Sequence, residues 1–355
     1  MPIGLDEVVA AETMLSDVDG AAGRLVIRDH PLEALAGRVR FEAVVHLLLD
    51  GLVEDLSDAA ALAARLGEAR VAAYATAAPL LPALAGLPVY DGMRAAIALQ
   101  SDASDVGAAL RLIAAPAAIL PALIRQARGE RPVAPDATRG HAADVVRMLG
   151  GDPATAAALD TYLVTVCDHG LNASTFAARV VASTQAPLGS AVLAGLGALK
   201  GPLHGGAPGP VIAMLDAIAA AGDARGWLQR EVARGERLMG FGHRIYRTRD
   251  PRADALKAAV AVLPRTAGRL AFAESVEREA LAVLAAHRPG RVLQTNVEFY
   301  TALLLEAVGF PTDAFTGVFA IGRVAGWVAH AREQALYGRL IRPQSRYLAA
   351  RDRAA

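Results

Sequence analysis

The sequence is poor in cysteine, in aromatic residues and in excess charge of either sign. Its single cysteine, Cys167, excludes a disulfide within the chain and any metal site built from several cysteines. Aromatic residues make up only 5% of the chain while alanine and leucine are abundant, which favours closely packed helices over a β-sandwich or barrel. The 36 basic residues balance 36 acidic ones, so we expect no nucleic-acid partner and no attraction to an anionic membrane.

Targeting signals and long charge-free apolar runs are also missing. The N-terminus, MPIGLDEVVAAE, lacks the basic-then-apolar order of a secretion signal. The apolar stretch at residues 314–331 carries Arg323 in its middle, and no charge-free run reaches about 18 residues. We therefore expect a cytoplasmic protein with no membrane span. Cys167 lies in an apolar helical stretch, which predicts an inert buried thiol.

Apolar side chains recur at helical spacing along most of the chain, whose 355 residues are enough for two domains. The pattern is clearest in residues 156–168, 272–287 and 300–308. Only residues 24–28, RLVIR, have the character of a strand. The sequence therefore predicts an all-α fold.

Stretches rich in glycine and proline interrupt these helices, and each lies near a histidine or a carboxylate. The first, GPLHGGAPGP at residues 201–210, presents His204 at the approach to a helix that starts near Pro210. The helix dipole would keep the imidazole neutral there, so that it could donate a hydrogen bond to a carbonyl oxygen. A loop histidine that faces water explains the same stretch.

The segment CDHGLNASTF, residues 167–176, contains a second histidine. Gly170 can adopt the left-handed conformation after a helix, and Asn172 or Ser174 can cap the next one. His169 then has two interpretations: it is a functional group, or it bonds the last carbonyl groups of its helix.

The segment LMGFGHRIYRTRDPRAD, residues 238–254, favours anion recognition. Glycines flank Phe241, His243 follows at once, and Asp250 with the next proline is typical of a helix start. Guanidinium groups match the geometry of phosphates and carboxylates, whereas a solvated basic turn is the simpler alternative. The arginines of this segment are Arg244, Arg247, Arg249 and Arg252.

Two further features are a glutamate at a helix start and two arginines that could bind a carboxylate. Thr295 and Glu298 have the spacing of a capping box, so Glu298 is either a structural cap or a general base. Arg323 is flanked by apolar residues and glycines, and a buried arginine requires an anionic partner, internal or from a substrate. Arg342 near the C-terminus can serve in the same way.

Several of these segments, in the same order, resemble bacterial citrate synthase and its close relative 2-methylcitrate synthase over nearly the whole chain. The likeness includes GLDEVVAAETMLSDVDG, DHGLNASTFAARVVAST, GPLHGGAP, MGFGHRIYRTRDPRA, TNVEFY, AGWVAHAREQ and RLIRPQSRYL. The resemblance implies a two-domain, all-α fold. Residues 1–203 and 305–355 would form a large helical dimerisation domain, and residues 204–304 a smaller mobile helical domain with the coenzyme A and catalytic loops.

The resemblance also implies roles. His204 would stabilise the enol of an acyl-CoA, His243 would activate the ketone of oxaloacetate, and Glu298 would be the base. Residues that match the oxaloacetate site are His169, Arg252, Arg323 and Arg342, the last reaching a neighbouring subunit's site in a homodimer. Residues that match the coenzyme A contact region are Leu238, Gly240, Phe241, Gly242 and Arg247.

The expected reaction is condensation of acetyl-CoA with oxaloacetate to give citrate and CoA. It needs no metal and no permanently bound cofactor, because the coenzyme A thioester is a co-substrate. Familiar members carry Asp at the position of Glu298 and Tyr-Arg-Gly where this chain has Ile27-Arg28-Asp29; we expect Glu298 to work as the base.

Three alternatives remain open. They are a 2-methylcitrate synthase that uses propionyl-CoA, a non-catalytic paralogue that binds coenzyme A or oxaloacetate, and a metal-dependent hydrolase built on the same histidines. The hydrolase is disfavoured because no two histidines have metal-ligand spacing.

Overall fold

The structure, a computed structural model, describes residues 8–347 apart from 57, 101, 206–207, 244, 247, 264–265 and 288–292. Within these residues helices dominate, which confirms the predicted all-α fold. The α-helices are α1 (Leu32–Leu35), α2 (Phe41–Leu49), α3 (Ala59–Ala77), α4 (Leu81–Leu84), α5 (Val89–Ile97), α6 (Val106–Ala127), α7 (His141–Leu149), α8 (Ala156–Val166), α9 (Ala173–Ala182), α10 (Leu188–Leu199), α11 (Pro208–Ala221), α12 (Ala224–Ala233), α13 (Pro251–Ala261), α14 (Ala267–His287), α15 (Val297–Val308) and α16 (Phe315–Tyr337). Short 3-10 helices are Ala78–Leu80, Pro153–Thr155 and Thr312–Ala314.

The described sheet is a small antiparallel one near the N-terminus. It has the order β1 (Ser16–Asp19), β2 (Arg24–Ile27) and β3 (His30–Pro31), and β1 pairs with β2 so that Ser16 faces Ile27. The predicted strand at residues 24–28 is therefore confirmed as β2. Its partner strands are too polar and too short to show the alternation of apolar residues on which strand prediction depends.

The three helices expected from periodicity exist, but their ends differ from the apolar stripes. The helix predicted at residues 156–168 ends at Val166, and those predicted from residues 272 and 300 begin at Ala267 and Val297. A stripe marks only the turns that face the core, whereas capping residues set the ends of a helix.

Two long helices form the centre of the core. α6 is apolar and long enough to cross a membrane, with a mean hydropathy of 1.8 in its most apolar window. However, 89% of that window is buried inside the protein, where α6 lies against α3, α5 and α16. α16 also contacts α8, α9 and α10. The apolar character of α6 is thus used for packing between helices.

Helix ends meet around the predicted site residue His169. His169 lies between α8 and α9, Asp250 caps α13, and Asn296 caps α15. α8 packs against both α13 and α15, which brings these helix ends together. The division of the chain at residues 204 and 304 stays a prediction.

Candidate active site

Three aromatic side chains, His169, His243 and Tyr246, lie against one another. The ring centroids of the two histidines are 5.9 Å apart, and that of Tyr246 lies 4.8 Å from His243 and 5.7 Å from His169. His169 Nε2 is 3.2 Å from the Tyr246 hydroxyl oxygen. Burial lowers the pKa of His169 well below its usual value, so this imidazole is neutral near pH 7. The structure therefore brings together two histidines that are 74 positions apart in the sequence.

The backbone fixes which nitrogen of His243 carries the proton. Its Nδ1 accepts the N–H groups of Ile245 and Tyr246, each at 3.0 Å, and burial lowers the pKa of His243 to about 4. A neutral imidazole that accepts at Nδ1 must carry its proton on Nε2. Arg252 Nη2, which can only donate, lies 3.2 Å from that Nε2. Since a neutral imidazole cannot accept at both ring nitrogens, we assign the two backbone bonds to Nδ1, which leaves this arginine N–H for a ligand. Two adjacent donors define a place for an oxygen of an anionic or carbonyl ligand.

Arg252 is held rigidly for this task by Asp250. The buried Asp250 carboxylate accepts from Arg252 Nε at 3.0 Å and from Nη2 at 2.8 Å. The same carboxylate accepts the N–H of Arg252, which caps α13, and that of Val297 at 3.1 Å. One carboxylate therefore orients the guanidinium group and ties the first turns of α13 and α15 together.

Glu298 is not the second half of a capping box, which corrects that interpretation. The N-cap of α15 is Asn296, whose Oδ1 accepts the N–H of Glu298 at 3.0 Å. Thr295 instead donates its hydroxyl to Glu277 Oε1 at 2.6 Å. The sequence Thr-Asn offers two capping residues, and the amide of Asn296 also reaches Gly242 O at 2.7 Å, which favours it as the cap.

The carboxylate of Glu298 is thereby free for other chemistry. It has no hydrogen-bond partner among the residues that the structure describes. Burial raises the pKa of Glu298 to about 7, with Asp250 raising it further and Arg252 and Arg323 opposing the shift. A carboxyl group with a pKa near neutrality is suited to accept and return a proton.

His204 belongs to a separate hydrogen-bond network at the start of α9. Asn172 caps this helix, and its Oδ1 accepts the N–H groups of Ser174 and Thr175 at 3.1 Å. The Ser174 hydroxyl lies 2.8 Å from that Oδ1 and 2.7 Å from His204 Nε2, and it accepts from Trp327 Nε1 at 3.1 Å. The single hydroxyl proton goes either to Asn172 or to His204.

The second arrangement makes His204 a donor toward a ligand. When Ser174 donates to Nε2, the imidazole carries its own proton on Nδ1, which has no hydrogen-bond partner within the described parts of the chain. Burial, followed by the charge of Arg323, lowers the pKa of His204 to about 4. His204 is thus a neutral group that can polarise a carbonyl oxygen.

Arg323 is buried, as expected, but no carboxylate of the described residues lies within ion-pair distance of it. Its Nε donates to Val166 O at 2.6 Å, and its guanidinium carbon lies 4.6 Å from the ring centroid of Phe319. The salt bridges of the described chain do not include Arg323, and burial lowers its pKa to about 10. The anionic partner that its burial requires is therefore left for a ligand.

The glycine loop before His243 is clamped to the residues that lead into α15. Gly240 O accepts the N–H of Asn296 at 2.9 Å, and Gly242 donates to Gln294 O at 2.7 Å. Both glycines have positive φ, 84° and 81°, and a side chain at Gly240 would meet Phe299. Leu238 and Phe241 are buried beside this loop, and Arg247 lies outside the described residues. Coenzyme A contacts in this region stay a prediction.

Arg342 lies apart from the other predicted site residues. It is exposed and borders a cavity of about 460 Å³ between the N-terminal residues 8–12, the end of α16 and the C-terminal segment. Its role in a neighbouring subunit's site stays a prediction.

Three side chains that contact predicted site residues were not identified as part of the site from the sequence. Tyr246 was not singled out, and Asp250 and Ser174 were interpreted only as a helix start and a possible cap. The three side chains contact His169, Arg252 and His204, respectively. Only Asp250 gave a usable signal, since an aspartate before proline and arginine can both cap a helix and pair with the arginine. Cys167 is fully buried and burial raises its pKa, in accord with an inert thiol. Among described residues, no group of three or more His, Cys, Asp or Glu is placed to hold a metal ion.

Comparisons with known proteins support a family assignment. The family described as citrate synthase, C-terminal domain, matches residues 4–344. The citrate synthase of Haloferax volcanii is 36% identical over 370 residues, which cover 98% of this chain and 96% of the relative. The 2-methylcitrate synthase of Mycobacterium tuberculosis is also 36% identical, over 362 residues and 97% and 89% of the two chains.

A solved structure agrees. The citrate synthase of Thermoplasma acidophilum, in a ternary complex with carboxymethyl coenzyme A and oxaloacetate, superposes with a TM-score of 0.85 at 27% identity and covers 97% of this chain and 95% of its own. With the family match extending over nearly the whole chain, this protein belongs to the citrate synthase family and is an enzyme of the citrate synthase type.

Proposed function

We propose that the protein condenses acetyl-CoA with oxaloacetate and hydrolyses the resulting thioester to citrate and CoA. The observation that carries the proposal is the carboxylate of Glu298. It is free of hydrogen bonds in the described chain and has a pKa of about 7, and the charges of Arg252 and Arg323 stabilise its anionic form. A base, a carbonyl donor and two anchors for a dianion are what this reaction requires.

The first step makes acetyl-CoA a nucleophile. Glu298 takes a proton from the methyl carbon, and the electron pair of the broken C–H bond moves toward the thioester oxygen. His204 Nδ1–H stabilises that oxygen by a hydrogen bond, provided that Ser174 donates to Nε2. Because the α-proton is a weak acid, base and donor must act on it together.

The second step uses the other cluster. Oxaloacetate carboxylates bind Arg252 and Arg323, and the ketone oxygen lies against His243 Nε2–H. The enolate carbon attacks the ketone carbon and forms the new C–C bond, while the π electrons of the ketone move to its oxygen. That oxygen takes the Nε2 proton of His243 to become a hydroxyl group, and the proton that Glu298 removed from the methyl group replaces it, so that both residues return to their starting states. Water then cleaves the citryl thioester to release CoA.

Several further features are part of the proposal. The ternary complex of the Thermoplasma acidophilum relative supports coenzyme A thioester and oxaloacetate as ligands. We infer a homodimer in which Arg342 reaches the partner's site, a cytoplasmic location, and closure of residues 204–304 over the remaining chain to exclude water. No permanently bound cofactor is proposed.

A second candidate substrate is propionyl-CoA, which would give 2-methylcitrate. It is favoured by the relative of that name, which is as identical to this chain as the Haloferax volcanii citrate synthase is. One methylene in an apolar pocket changes transition-state binding by only about 1–3 kcal/mol, so we expect both thioesters to react at different rates.

The test is thiol release from acetyl-CoA and from propionyl-CoA, each with and without oxaloacetate. We expect release that depends on oxaloacetate, and the ratio of the two kcat/KM values identifies the preferred thioester. Thermal stabilisation by either ligand without any release would instead show a non-catalytic binding protein.

A further inference from the structure

The turn between β1 and β2 lies directly against the segment that follows His243. A side chain at Gly20 would collide with the carbonyl oxygen of Ile245. At Gly23, where φ is +66°, a Cβ atom would lie 2.5 Å from Thr248 Oγ1 and 3.0 Å from Arg249 O. Backbone therefore contacts backbone here, at a distance that only glycine permits.

The other end of the same hairpin contacts the segment that carries His169. The hydroxyl of Ser16 donates to Asp168 Oδ2 and accepts the N–H of Gly170 at 2.9 Å. Val18, two residues further along β1, lies against Gly170. The two residues that flank His169 are thus both bonded to Ser16.

The hairpin is a stiff connection between these two contacts. Leu15, Leu25 and Ile27 are fully buried, which anchors its base in the core. At the tip, Asp19 Oδ1 accepts the N–H groups of Ala21 and Ala22 at 3.0 and 2.8 Å, which fixes the turn. Anchored at both ends, it holds the two histidine segments at a set separation.

The contact between Gly20 and Ile245 at the hairpin tip matters because Ile245 also hydrogen-bonds to the ring of His243. Its N–H donates to His243 Nδ1, and that bond, with the one from Tyr246, keeps the ring proton on Nε2. A shift of Ile245 would change both the orientation of the imidazole and its donor nitrogen. A displacement of about 1 Å at a reacting group can cost roughly a hundredfold in rate.

We propose that the β1–β2 hairpin is the positioning element of the oxaloacetate subsite, with Gly20 and Gly23 seating the His243 segment and Ser16 seating His169. None of these residues touches substrate; each acts through a histidine. The inference rests on the proposed function, because it concerns how the same subsite is held in register.

Glycine-to-alanine variants test the tip, with controls that match each backbone conformation. Gly23→Ala is paired with Gly51→Ala, since Gly51 has φ +69° and nothing within 4 Å of an added Cβ. Gly20→Ala is paired with Gly86→Ala, since neither glycine has a positive φ and a Cβ at Gly86 would meet nothing within 4 Å. We expect the tip variants to raise the KM for oxaloacetate or lower kcat by about tenfold or more, with the KM for the thioester nearly unchanged, and the controls to stay within about twofold.

A rescue variant separates positioning from a general loss of stability. Thr248→Ala removes the Oγ1 atom that the Cβ of Gly23→Ala would meet, so the double variant should recover part of the lost activity. Ser16→Ala adds no bulk and tests the other end; it should raise the KM for oxaloacetate while the chain still folds.

Nitrogen NMR of the His243 ring gives a readout that does not need turnover. In the free wild type we expect the Nε2–H tautomer, and in Gly20→Ala a mixture of tautomers or a shifted Nδ1 signal, while Gly86→Ala keeps the wild-type spectrum. If wild type and variants share one spectrum and one set of kinetic constants, the hairpin proposal is wrong. If the wild type shows no condensation at all, the proposed function fails, whereas the ring spectra still decide the positioning question.

Discussion

Glu298 illustrates at the scale of one residue how the fold makes a carboxylate useful. The cap of α15 is supplied by Asn296, so the Glu298 side chain carries no structural hydrogen bond in the described chain. Burial raises the pKa of Glu298, whereas the charges of Arg252 and Arg323 stabilise the carboxylate anion and limit the rise, so that the pKa is about 7. The residue type alone left base and cap open, and only the neighbouring asparagine decided between them.

Glu298→Gln should lose most turnover and keep its affinity for oxaloacetate. The substitution preserves shape but removes the group that accepts the methyl proton, so kcat should fall by about a hundredfold or more. Steady-state thiol release and calorimetry with oxaloacetate measure the two quantities. Glu236→Gln, on the exposed surface, is the matched control. Turnover near the wild-type level in Glu298→Gln would disprove the assignment of the base.

The same variant should be more stable than the wild type at alkaline pH. Between pH 4.5, the ordinary value, and about 7, the folded state keeps a proton that the unfolded state has released, so this group lowers stability as the pH rises. This loss in the free energy of unfolding is absent below about pH 4.5 and reaches its full size above about pH 7. We expect urea denaturation to show equal stabilities near pH 4.5 and an advantage of about 1–3 kcal/mol for Glu298→Gln at pH 8. A constant difference across this range would refute the shifted pKa.

At the scale of elements, helix starts carry much of the site. α9, α13 and α15 are capped by Asn172, Asp250 and Asn296, and each cap also bonds or precedes a residue of the candidate site. The sequence predicted the cap at Asp250 and left that of α9 open between Asn172 and Ser174, because all three residue types are strong capping signals. It misassigned the cap of α15, since Thr295 and Glu298 fit a capping box and the bond from Asn296 to Gly242 O joins residues 54 positions apart.

Asn296→Ala should therefore cost more activity than its loss of stability accounts for. It removes the cap of α15 and the bond to Gly242 O, so both Glu298 and the glycine loop lose support. We expect a loss of about 1–2 kcal/mol in the free energy of unfolding together with a fall in kcat/KM. Asp223→Ala is the control, because Asp223 caps the exposed start of α12 and should cost similar stability without affecting kcat/KM.

For the whole molecule, the local pattern of apolar residues, glycines and prolines predicted the helices and loops, and the family resemblance predicted the site residues. The sequence did not predict which distant side chains hydrogen-bond to those site residues. Ser16 bonds to Asp168 and Gly170, and Tyr246 to His169, across separations of 77 to 154 positions. No periodicity or spacing rule reports such contacts, because they depend on which distant segments pack together, as α8 does on α13 and α15. Strand β2 of the hairpin was predicted, but the contacts of the hairpin with the two histidine segments could not be, for the same reason.

The two-subunit site can be tested by combining two inactive variants. Suppose that Arg342 acts in the partner's site, as its exposed position away from the histidine cluster allows. Glu298→Gln and Arg342→Ala homodimers would then both be inactive or weak. A mixed dimer would contain one intact site, formed by Glu298 of one chain and Arg342 of the other.

Co-expression or refolding of the two variants in equal amounts should restore about a quarter of the wild-type activity, because half the dimers are mixed and each has one of two sites intact. Size-exclusion chromatography checks that dimers form. If Arg342 serves its own chain's site, each subunit of a mixed dimer keeps one defect and mixing restores nothing. Activity that rises on mixing is thus specific to a site shared between subunits, and its absence in verified dimers would remove Arg342 from the partner's site.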